Sequence, residues 1–172
     1  MDQGNKLLLL ASIILVTVSG FSVWNSLWWL GLICIVIAEI YLVAVLALAA
    51  YRSDKVSRDS NFEVPNWMNN VFPTRLVGCF VVISLLVTLT LSFASLYIAL
   101  NSSVPFKVPF NSSFDAIYFS YVTISTLGYG DFSPVSDLAK SVVLLQLSSG
   151  LLLLVGVFPL LISRISKFTS NN

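Results

Sequence analysis

The sequence predicts an all-α membrane protein: four transmembrane helices, with a fifth, shorter helix dipping into the bilayer between the third and fourth. Three observations carry this. The 172 residues are 57% hydrophobic and 10% charged, with a mean hydropathy of +0.91, whereas soluble domains are about a quarter charged. Four apolar runs, residues 7–23, 27–51, 76–100 and 138–162, stand clear of the polar segments around them, and the last three reach the roughly 20 residues that cross a hydrocarbon core. Residues 114–125 form a further apolar stretch of about 12 residues, roughly 18 Å as a helix and about half the membrane's apolar thickness, so the chain must enter and leave on the same side.

The first run follows Lys6 and ends near Ser19-Gly20, a pattern that also fits a signal peptide. The transmembrane reading is preferred because the second run follows at once through Trp24-Asn25-Ser26. Residues 1–51 are therefore expected to form a helical hairpin. Glu39 lies near the middle of the second run, where a charge costs about 2.5–3.5 kcal/mol on insertion scales. It is expected to face protein in its protonated form, either as a structural hydrogen-bond partner or as a proton-sensitive contact to Ser12, Thr17 or the second half of the chain.

Residues 52–75 form a polar connector punctuated by Pro65 and Pro73. Within it, Trp67, Met68, Val71 and Phe72 would share one face of a short helix, lying along the membrane surface or buried as part of an ordinary loop. Arg52, Lys55 and Arg58 repeat every third residue, but they lie beyond the apolar run and alternate with Asp54 and Asp59. They are read as topology signals in preference to a voltage sensor. Lys6, this cationic group, Arg75, Arg164 and Lys167 share one side, against only Lys107 and Lys140 on the other. The richer side is cytoplasmic by the positive-inside rule, so both termini are expected inside and residues 101–137 outside, with the plasma membrane the expected location.

After the third run, residues 101–113 carry two prolines and several polar residues and read as an exposed loop. Ser112 followed three residues later by Asp115 is a helix-start signature ahead of the short apolar stretch. A net charge of +1 leaves no basic face for nucleic acid. Cys34 and Cys79 lie inside apolar runs and there is no histidine, so neither a structural disulfide, a metal site, a cofactor nor an enzyme active site is expected.

The short stretch runs into Thr123-x-x-Thr126-Leu127-Gly128-Tyr129-Gly130-Asp131. This resembles the selectivity filter of the potassium channel pore-loop family, and the resemblance covers roughly residues 76–165, leaving the first 51 outside it. It implies a pore domain over 76–172: outer helix 76–100, turret 101–113, pore helix 114–125, filter 126–130 and inner helix 138–163. It implies that main-chain carbonyls of Thr126, Leu127, Gly128 and Tyr129, with the Thr126 hydroxyl, replace the hydration shell of K+, the permeant ion. Gly128 and Gly130 are where alternate residues must take conformations that a Cβ resists. Thr123, Ser125, Asp131 and Phe119 would support the loop, with the Tyr129 ring packing on Phe119 or Tyr118. Leu127 stands where the family usually has Val, and Ser125 where a second Thr is common; neither alters the carbonyl cage.

One loop supplies a quarter of such a cage, so the resemblance implies a fourfold homotetramer in the lipid bilayer. Gly150 matches the family's hinge glycine, and Phe158-Pro159 the proline bend of voltage-gated relatives; each is either a gating element or an ordinary feature of a membrane helix. Leu147, Leu151, Leu154 and Phe158 follow at helical spacing, either facing the cavity as a dewetting gate or packing against lipid. A gate would act through the membrane part, through Glu39 or through a separate regulatory subunit. Two alternatives stay open: a weakly selective cation channel, and a non-conducting accessory subunit or transporter component, the last disfavoured by the intact Gly-Tyr-Gly. Sequons at Asn101 and Asn111 lie on the expected outer face.

Overall fold

The computed structural model describes residues 3–25, 27–58, 75–102 and 106–157, and these residues contain helices and no strands. The helices are α1 (Gln3–Trp24), α2 (Trp28–Arg58), α3 (Arg75–Asn101), α4 (Ser113–Ile124) and α5 (Asp137–Leu151), which continues as a wider π-type turn over Leu152–Val157. Of these, α1, α2, α3 and α5 with its π turn are long and apolar enough to cross a membrane; α4, at 12 residues, is too short.

The outer helix α3 is the hub. Its spanning stretch is 61% buried, against 22%, 33% and 28% for α1, α2 and α5, because α1, α2, α4 and α5 all pack against it. Leu85, Leu89, Phe93 and Tyr97 form its inward face with Ile35, Ala38 and Leu42 of α2. Gly31 lets α2 approach closely, since a Cβ there would run into Ser95 and come within 3.0 Å of the Ser92 carbonyl. α2 also reaches the π turn of α5, so the N-terminal hairpin touches both long helices of the second half.

One boundary and one loop differ from the sequence expectation. α2 stays helical through Arg58, where the connector was expected to begin at residue 52. The turret is not simply exposed: Phe106 and Phe110 are buried, and Phe106 forms a bridge with Pro134 supported by Lys107 N–H donating to the Ser133 carbonyl at 2.8 Å. Asn101 clamps its base, accepting from Phe110 N–H at 3.0 Å and donating to the Phe110 carbonyl at 2.9 Å. Aromatic residues that a polar reading of the loop underweights pull it down onto the helices. Residues 59–74, which include the Trp67 segment, and residues 158–172, which include the gating candidates Phe158 and Pro159, lie outside the described residues.

Candidate functional site

The site is built at the lower end of α4. Its start is the expected capping box: Ser112 Oγ accepts from Asp115 N–H at 3.2 Å, while Asp115 Oδ2 accepts from the N–H groups of Ser112 at 3.1 Å and Asn111 at 2.8 Å. These bonds satisfy donors that the first helical turn cannot use internally. The helix ends at Ser125, whose Oγ donates to the Tyr121 carbonyl at 2.7 Å. The following residues hang from the helix by main-chain bonds: Thr126 N–H donates to the Thr123 carbonyl and Leu127 N–H to the Val122 carbonyl, each at 3.0 Å.

From there the backbone alternates. Thr126, Gly128 and Gly130 have φ of 61°, 57° and 80°, and the residues between them do not have positive φ. Glycine takes this left-handed conformation freely; threonine, branched at Cβ, does so at a cost of roughly 1–2 kcal/mol. Sequence reasoning expected this conformation at the two glycines and missed that Thr126, named for its carbonyl and hydroxyl, adopts it too. A segment of alternating hand turns successive peptide groups the same way instead of to opposite sides as in a strand. All five residues, Thr126, Leu127, Gly128, Tyr129 and Gly130, are exposed on the single chain.

The Tyr129 ring stacks on Tyr118 of α4, with centroids 6.5 Å apart and planes 9° from parallel. Phe119 faces elsewhere: its ring contacts are with Tyr97, Phe106, Phe110 and Phe132, at 4.9 to 6.5 Å. None of these ring contacts is with Tyr129; Phe132 meets Phe119 and also Tyr118, edge-on at 6.3 Å. Asp131 is exposed; partial loss of water, then the nearby Asp131 carboxylate, push the Tyr118 phenol above its ordinary pKa. Thr123 is buried against the core and supplies the carbonyl that holds Thr126.

Gly150 and Gln146 of the inner helix both meet α4. Gly150 packs on the C-terminal residue of α4, where a Cβ would lie 3.0 Å from Ile124 Cγ1 and 3.3 Å from its carbonyl oxygen. Gln146, which sequence reasoning passed over, is fully buried and bonded to Tyr97 and Ser120. A lone amide inside an apolar span was the available signal, since such groups seek partners across helices. Leu151 and Leu154 are exposed on the single chain, while Leu153 turns into the core.

Glu39 is not bonded to Ser12 or Thr17. Those hydroxyls donate to carbonyls of their own helix, Leu9 and Ile14, each at 2.9 Å, and Glu39 Oε1 is buried without a partner. Helical hydroxyls can donate to a carbonyl one turn back, so the protons of Ser12 and Thr17 are engaged within α1. The expected structural hydrogen bond at that oxygen is absent among the described residues.

Residues 76–167 match the protein family described as Ion channel. The chain is 42% identical over 55 residues to the probable potassium channel protein 2 of Methanocaldococcus jannaschii, covering 32% of this chain and 15% of that protein. It is 44% identical over 62 residues to the voltage-gated potassium channel Kch of Escherichia coli, covering 36% and 15%. It is 32% identical over 100 residues to the inward rectifier potassium channel Kirbac3.1 of Paramagnetospirillum magnetotacticum, covering 58% and 32%. Each match spans less than a third of the relative's own length. No solved structure matches the chain with statistical significance.

Proposed function

The chain belongs to this ion-channel family, and on that premise we propose that it is the subunit of a homotetrameric channel that conducts K+ passively and selectively. The observation that carries the reading is the alternation of backbone hand at Thr126, Gly128 and Gly130. Four such segments around one axis would present stacked rings of carbonyls from Thr126, Leu127, Gly128 and Tyr129, a substitute for the water that a potassium ion loses on entry. The C-terminal end of α4 adds partial negative charge directed at the approaching cation. The relatives named as potassium channels support the choice of ion.

In this reading Tyr118 braces the Tyr129 ring from behind and fixes the diameter of the cage. Asp131 sits at the outer mouth, both termini are cytoplasmic and the membrane is the plasma membrane. The test is potassium flux from protein-loaded liposomes, measured against sodium flux, for the wild-type chain and for Gly128→Ala. Wild type is expected to pass K+ in large excess over Na+, and the alanine variant to lose that flux. Equal flux from the two would exclude this loop as the path.

A further inference from the structure

A primary amide carries two N–H donors and a carbonyl acceptor, and Gln146 uses all of them inside the core. Tyr97 on α3 donates its hydroxyl to Gln146 Oε1 at 2.6 Å, while Gln146 Nε2 donates to the Ser120 carbonyl at 2.9 Å and to Ser120 Oγ at 2.7 Å. Ser120 Oγ then donates to the Thr90 carbonyl of α3 at 2.7 Å. The donors run one way around the network, so every proton has a place. Leucine at this position would leave the Tyr97 hydroxyl without an acceptor and Ser120 without its donor, in surroundings where water cannot replace them.

The connection continues past Ser120. One turn further along α4, the Val122 and Thr123 carbonyls hold the N–H groups of Leu127 and Thr126. A rotation or slide of α4 would carry those carbonyls, and the first two residues of the loop, with it. We propose that Gln146 is a positioning residue for ion selection: its amide fixes the rotation of α4 between α3 and α5 and thereby the ring geometry of Thr126 and Leu127. The inference rests on the potassium-channel reading above.

The experiment compares wild type with Gln146→Leu and Gln146→Glu in liposomes, reading the ratio of K+ to Na+ flux alongside the thermal unfolding midpoint. Gln146→Leu is expected to lower the flux ratio about tenfold, on the scale of one buried hydrogen bond. Gln146→Glu, whose neutral acid form keeps one donor and one acceptor, should fall between the two. Tyr97→Phe, which removes one bond of the network and no volume from α5, gives a smaller fall in the same direction and serves where Gln146→Leu does not fold. A merely structural amide would lower the unfolding midpoint while the folded channels kept the wild-type ratio; that result in Gln146→Leu, or in Gln146→Glu and Tyr97→Phe together, overturns the proposal. A wild-type chain that passes K+ and Na+ equally would instead overturn the functional reading itself.

Discussion

Thr126 holds its backbone at φ 61° although its Cβ is branched, and strain of this kind persists only where the surrounding structure imposes it. Thr126→Gly should therefore stabilise the fold by about 1 kcal/mol while weakening potassium selection through loss of the hydroxyl. Unfolding midpoint and flux ratio moving in opposite directions would mark strain kept for function; movement together would not. On the single chain a Cβ at Gly128 or Gly130 would meet nothing within 4 Å, so within one subunit the cost of alanine there lies in the positive φ it must adopt. Glu39 is the opposite case, a group whose buried Oε1 finds no partner among the described residues. Glu39→Leu should raise stability by about 1–3 kcal/mol, the cost of an unsatisfied buried polar atom, with no change in K+ to Na+ flux ratio; a lower midpoint would show that the carboxyl has a stabilising partner after all. The glycine signature was legible because φ preference is a property of single residues, whereas the environment of Glu39 depended on hydroxyls that α1 had already engaged.

Among the elements, α4 is the most completely specified by its own sequence. Its capping box joins residues three apart, so the start at Ser113 follows from local geometry. Asp115→Ala should cost about 1 kcal/mol of stability, checked by thermal unfolding in detergent, and a neutral result would mean the cap is redundant. The face of α4 was less legible: Tyr118 and Phe119 are neighbours in sequence but about 100° apart on the helix, and only packing decided that Tyr118 meets Tyr129 while Phe119 joins the cluster of Tyr97, Phe106, Phe110 and Phe132. Gly150 of α5 presses on Ile124, which makes close packing a sufficient reason for a glycine there. Gly150→Ala should cost about 1 kcal/mol as overpacking, and the cost should shrink in an Ile124→Ala background, a coupling that a double-mutant cycle reads directly. Undiminished cost in that background would point to the hinge instead.

For the whole molecule, the loop over 126–130 is exposed on one chain, with Leu127 55% and Tyr129 67% accessible, and Leu151 and Leu154 of α5 are open as well. In the proposed assembly these surfaces meet around an axis. Native mass spectrometry of the purified chain should find four copies per particle, and a stable monomer or dimer would leave the cage incomplete. The number of spans, the half-length helix and the glycine spacing were all present in the sequence, because hydropathy, helix length and φ preference act over a few neighbouring residues. What only tertiary structure decided is which residues at long range share a surface: Gln146 with Tyr97 and Ser120, the turret's Phe106 with Pro134, and α1 and α2 wrapped on α3. In spans that are apolar nearly all round, periodicity does not say which face turns inward, so the rotation of each helix is set by the neighbours against which it packs.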